Sequence, residues 1–159
     1  MHIHFLVVDN FSINTAKLDR VISSCAGFNF RKVSRVVTQH FDEILKPSKL
    51  SITQFTVLVA VAKVRAIAVS DLAKILLMDR TTLTRNLKPL KKEGYLDIEP
   101  GQDKRTRIIS LTSDGELALA KAMPLWEQAQ KDIVEFLGEP RWQTLLAQLS
   151  EVAKLPRSS

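Results

Sequence analysis

Cysteine is nearly absent from this chain. Cys25 is the sole one among 159 residues, which excludes an intrachain disulfide and points to a reducing, cytoplasmic setting. Glycine and proline are scarce, at five and six, so the sequence is neither collagenous nor low in complexity. Long apolar runs are missing: Phe5 to Val8, Val57 to Ala62 and Ile75 to Met78 fall far short of a signal-peptide core or a membrane span. Gly-rich phosphate loops and nucleophile elbows are missing too, and no spacing forces two carboxylates together, so an enzyme is not expected. His2 and His4 form an His-x-His pair with no carboxylate or thiolate close in sequence, so neither a metal nor another cofactor is expected.

What remains is the balance of a folded protein, 45% hydrophobic and 25% charged, at the size of one domain with a helical extension. Aromatics are few, at 6%. The formal charge is +6 and the isoelectric point near 9.6, which favours an anionic partner. Residues 60–110 hold eleven lysines and arginines against six acids, so nearly all of the excess lies in the middle third.

The first 24 residues have no clear period, with helical character from about Leu18. Phe30, Val33, Val37, Phe41 and Ile44 then recur at three and four residues up to Pro47, predicting a helix. Thr53 is a candidate cap for a second helix reaching about Arg65, apolar on most sides and therefore a core element. Ser70 is a candidate cap for a short third helix ending near Leu77. After a break at Met78 and Asp79, a fourth helix runs from about Arg80 to Glu93, stopped by Gly94. Two helices joined by so short a turn suggest a helix-turn-helix. The period then changes to two: Leu96 and Ile98 alternate with polar neighbours, Pro100 to Asp103 makes a turn, and a second strand covers about Thr106 to Leu111. Thr112 or Ser113 caps a long fifth helix in which Pro124 predicts a kink. Beyond Gly138 and Pro140, a sixth helix carries an apolar stripe from Trp142 through Leu149 to Ala153.

On the fourth helix Leu83, Leu87 and Leu90 fall on one face, while Thr81, Arg85, Lys88 and Lys92 gather opposite. A cationic helix face is commonly just solvated surface, yet this one follows a helix-turn-helix break and precedes a basic hairpin. Arginine can grip guanine with two hydrogen bonds, and threonine can reach a phosphate or a thymine methyl, so Thr81, Thr82, Thr84, Arg85, Lys88 and Lys92 are the candidate DNA contacts. Pro89 predicts a local bend beside Arg85. The hairpin tip carries Lys104, Arg105 and Arg107 beside Asp103. An arginine held there suits a narrow minor groove; the alternative is a solvated turn that Asp103 supports through its own backbone hydrogen bonds.

The run Asp79-Arg80-Thr81-Thr82-Leu83-Thr84-Arg85-Asn86-Leu87, with Lys92-Glu93-Gly94-Tyr95-Leu96, Asp103-Lys104-Arg105, Leu111-Thr112 and Gly115, resembles the winged-helix core of the MarR family of bacterial transcription regulators. The similarity extends more loosely over residues 28–155. It implies a mostly α fold with a small β-hairpin wing: an N-terminal arm (1–27), an N-terminal dimerisation helix (28–47), a winged helix-turn-helix DNA-binding core (48–112) and C-terminal dimerisation helices (113–159). By this resemblance the fourth helix is the recognition helix, the hairpin is the wing, Arg105 is the wing-tip arginine, and Asp103 is the aspartate that positions it.

The same resemblance implies a homodimer on double-stranded DNA, away from membranes, and a small aromatic or phenolic effector, for which His40 and Trp126 are the candidate contacts. Cys25 is similar in neighbourhood to the sensing cysteine of the organic-hydroperoxide branch. It lies two residues early relative to Ser34-Arg35, and Tyr95, the sole tyrosine, falls in the wing, so it reads as a small buried residue. The expected function is a repressor that binds a pseudo-palindromic operator as a dimer and answers to a small molecule. The competing reading is a winged-helix protein-interaction module without DNA binding, which would want a neutral recognition face.

Overall fold

A computed structural model describes residues 14–103 and 105–156; His2, His4 and Lys104 lie outside the described residues. In chain order the elements are α1 (Thr15–Ser24), α2 (Ala26–Leu45), a 3-10 turn (Lys46–Ser48), α3 (Ile52–Val64), β1 (Ala66–Ala68), α4 (Val69–Ile75), α5 (Arg80–Lys92), β2 (Leu96–Pro100), β3 (Arg107–Leu111), α6 (Ser113–Leu137) and α7 (Glu139–Val152). The fold is mostly α with one small antiparallel sheet, as expected. By its contacts the chain forms two units that divide inside α2, after Thr38.

In the first unit the Asn14 side chain caps α1 by accepting the Ala16 amide at 2.9 Å. Helix therefore begins at Thr15, less than one turn before Leu18. The chain breaks at Cys25, whose extended backbone ends α1, and Asn29 Nδ2 donates to the Cys25 carbonyl at 3.0 Å. α2 thus starts at Ala26 rather than Phe30. Leu18, Val21, Ile22, Phe28, Phe30, Val33 and Val36 are exposed.

The second unit is built around α3. Phe55, Val57, Leu58 and Val61 are buried on it, so apolar residues nearly all round the helix meet neighbours on several sides: α4, α5, α6, β1 and β3. That arrangement is what an all-round apolar helix requires. Ser51, not Thr53, is its cap. The Ser51 hydroxyl accepts the Gln54 amide and the Gln54 side chain accepts the Ser51 amide, a capping box. Asp42 of α2 adds a third bond, accepting the Ile52 amide at 2.6 Å.

α4 begins at Val69 with Ala68 at its cap position and no side-chain cap, so Ser70 is inside the helix. The reason is β1, which the sequence reading missed: the chain enters α4 straight from a strand. The sheet order is β1-β3-β2, with Ala66 opposite Ser110 and Leu96 opposite Leu111. The hairpin is thus two arms of a three-stranded sheet, and Ile109 on its central strand is fully buried. α5 and α6 continue through Pro89 and Pro124; both prolines lie on exposed faces, and neither ends its helix.

Candidate nucleic-acid interface

α5 starts where Asp79 supplies a cap. Its carboxylate accepts the Thr82 amide at 2.8 Å and the Thr82 hydroxyl at 2.5 Å, and a carboxylate also suits the positive end of the helix dipole. The Thr82 hydroxyl and amide together hold the Asp79 carboxyl below its ordinary value. Leu83, Leu87 and Leu90 are buried to 0%, 4% and 1% exposure, which anchors one face against the core and fixes what the other presents. Thr81, Arg85, Lys88, Lys91 and Lys92 are exposed. The cationic row and the leucine row therefore occupy opposite sides of one helix, as the periodicity predicts.

The threonines divide. Thr82 spends its hydroxyl on Asp79, and Thr84 donates to the Arg80 carbonyl at 2.7 Å. Thr81 is exposed, and among the described residues its hydroxyl makes no hydrogen bond. Asn86 Nδ2 donates to the Thr82 carbonyl at 3.0 Å.

At the wing tip Asp103 organises the turn. Its carboxylate accepts the Arg105 amide at 2.9 Å, and its carbonyl accepts both the amide and the hydroxyl of Thr106, at 2.8 and 2.7 Å. Among the described residues no ion pair joins Asp103 to the Arg105 guanidinium. Asp103 therefore sets the backbone of Arg105 and leaves its side chain exposed. Arg107, also exposed, opens β3 opposite Pro100.

The base of the wing holds a junction of which the sequence reading named one part, the Thr112 cap, and missed the bond to Gly94. Thr112 caps α6 by accepting the Gly115 amide at 3.0 Å, while its hydroxyl donates to the Gly94 carbonyl at 2.6 Å and its amide donates to the Tyr95 carbonyl at 3.1 Å. Gly94, at φ 76°, is the left-handed residue that ends the α5 turn. Beside this junction lies an open cleft of about 550 Å³, lined in part by Pro47, Lys49, Glu93, Tyr95, Leu117 and Lys121. Its walls come from separate stretches of chain, so no local motif announces it.

His40 and Trp126 sit on α2 and α6. Trp126 stacks on Phe55, centroids 6.0 Å apart and planes at 16°. His40 meets Phe41 edge-on; its Nε2 is shielded from solvent and, among the described residues, has no hydrogen-bond partner, lying 3.5 Å from an Asp132 carboxylate oxygen. Cys25 is half-buried.

A family model described as the MarR family matches residues 48–106, the span from the 3-10 turn to the wing tip. An uncharacterized HTH-type transcriptional regulator of Bacillus cereus is 33% identical over 106 residues, covering 67% of this chain and 71% of the relative. The chain belongs to the MarR family. Among solved structures, the Mycobacterium tuberculosis transcriptional regulator MosR in complex with DNA is similar to this MarR-family chain at 35% identity and a TM-score of 0.69, over 82% of this chain and 99% of that one. A mutant of Escherichia coli MarR complexed with operator DNA shares the fold at a TM-score of 0.75, over 91% of this chain and all of its own, at 24% identity. α4 and α5 are thus the helix-turn-helix, and the β2-β3 hairpin the wing, of a MarR-family winged helix.

Proposed function

We propose that this MarR-family protein is a sequence-specific DNA-binding transcription regulator that works as a cytoplasmic repressor, binding a pseudo-palindromic operator as a homodimer and answering to a small aromatic or phenolic effector. One observation carries the DNA reading: Arg85, Lys88 and Lys92 form an exposed cationic row directly behind three buried leucines, so the row is held rigidly and cannot fold back into the core. A protein-interaction module would not need that charge. The apolar residues exposed on α1, α2 and α7 support the dimer, because a single chain leaves them against water. His40 and Trp126 remain the candidate effector contacts, and Cys25 is read as structural.

Arg85 and Arg105 test the reading by different physics. On an operator selected from a random duplex pool, Arg85→Ala should cost about 1–3 kcal/mol of specific binding and much less on scrambled DNA, since Arg85 reads a base edge. Arg105→Ala should weaken discrimination mainly at A·T-rich flanks, where groove width is what the wing senses. If both variants bind the operator as wild type does, the interaction-module reading takes over.

A further inference from the structure

The junction at Thr112 joins the DNA-reading part of the fold to its longest helix. Two kinds of contact tie α6 to the winged core. One is apolar packing, in which buried Ala118, Ala122 and Ala129 and the Phe55-Trp126 stack set α6 against its neighbours. Small side chains resist separation but present a smooth surface along which packed helices can slide. The other is the set of directional bonds at Thr112, whose hydroxyl donates to Gly94 at the exit of α5 and accepts from Gly115 in the first turn of α6. Gly115 itself has no room for a side chain, because a Cβ there would overlap the Tyr95 carbonyl oxygen and crowd Leu111. One hydroxyl therefore bonds both to the exit of α5 and to the start of α6, and the backbone beneath it is in contact.

We propose that Thr112 is a positioning residue that sets how strictly the protein measures the distance between two operator half-sites. The inference rests on the regulator reading above, in which a dimer is held at the exposed apolar positions far from the junction, Phe136 at the end of α6 and Leu146, Leu149 and Val152 on α7. α6 is 25 residues long, about 37 Å at 1.5 Å per residue. An angular slack of about 5° at its base then corresponds to about 3 Å at the far end by the same rise, and successive base pairs are about 3.4 Å apart. A few degrees at Thr112 thus spans the axial rise of one base pair of half-site spacing.

Three variants separate this role from simple capping. Thr112→Asp keeps an acceptor for the Gly115 amide but has no donor for the Gly94 carbonyl; Thr112→Val loses both bonds; Thr112→Ser keeps both. Each is assayed by full-length binding to a selected operator, to the same operator with half-sites moved by one and two base pairs, and to a single half-site. Wild type and Thr112→Ser should lose about tenfold in affinity per base pair of displacement. Thr112→Asp and Thr112→Val should lose less than about threefold, with single half-site affinity within about twofold of wild type. A second arm needs no DNA: nitroxide labels at Lys88→Cys and Glu135→Cys in a Cys25→Ser background should give a broader distance distribution when Thr112→Asp is added. Variants that melt as wild type does yet keep its spacing preference, or an unbroadened distribution, overturn the assignment. A wild type with no preference for paired half-sites, but with the broadening seen, defeats the operator reading and the spacing role with it while leaving the mechanical joint established.

Discussion

Asp79 stands within the run that identified the family, yet its work is done one turn away. By taking the Thr82 hydroxyl and amide it orders the first turn of α5 and holds the Thr82 side chain in place. The bond has a pH signature. The folded carboxyl lies below its ordinary value of 3.8, so on acidification the unfolded chain takes up this proton first. Its stabilising effect is complete above the unfolded value and is lost as pH falls through the folded one. Asp79→Asn should therefore melt below wild type at pH 7, with the gap closing as the pH is taken from 5 to 3. Thermal melts across that range check it, and a gap that stays constant or widens in acid would count against the Asp79-Thr82 bond as its source.

At the level of elements, the two tight glycines, Gly101 at the wing and Gly115 in the first turn of α6, should behave differently. Gly115 faces the Tyr95 backbone, which cannot move without shifting the wing, whereas Gly101 faces the Thr106 hydroxyl, a side-chain group that can yield at the cost of its bond to the Asp103 carbonyl. Gly115→Ala should lower stability by about 1–3 kcal/mol, the usual range for overpacking, and Gly101→Ala by less; urea unfolding of both measures the order. The same contrast explains what could be read from sequence. α5 was legible because Leu83, Leu87 and Leu90 hold one phase and Gly94 stops it. The caps were less so: Ser51-Ile52-Thr53-Gln54 offers two candidate hydroxyls, and only the reciprocal Gln54 bond selects Ser51. β1 was invisible, since three residues, Ala66 to Ala68, are too few to display alternation and their pairing partner lies beyond the whole helix-turn-helix. The cationic row of the site was legible for the same reason as α5, whereas the Gly94-Thr112-Gly115 junction joins residues that no periodicity links.

For the whole molecule, one cationic α5 face per chain and apolar residues exposed on helices at both ends predict a dimer whose two α5 helices enter successive major grooves about 10 bp apart on one face of the DNA. Sedimentation should show the dimer at micromolar concentration, and a footprint should cover both half-sites; a monomer, or protection too short for two helices, would defeat it. Lys91 and Lys92, exposed on the last turn of α5, should each steepen the salt dependence by about one unit if they meet phosphates, regardless of sequence. The position of β3 between β1 and β2 bears on scission of the chain. A trypsin cut after Arg105 would sever the wing tip and yet leave each new end pinned, β2 by its ladder to β3 and β3 by its second ladder to β1. The nicked protein should run as two bands under denaturing conditions and as one species under native ones, and bound operator should shield the bond. Fragments ending at Asp103 and beginning at Thr106, produced together, would by the same logic reassemble into a winged helix without its tip.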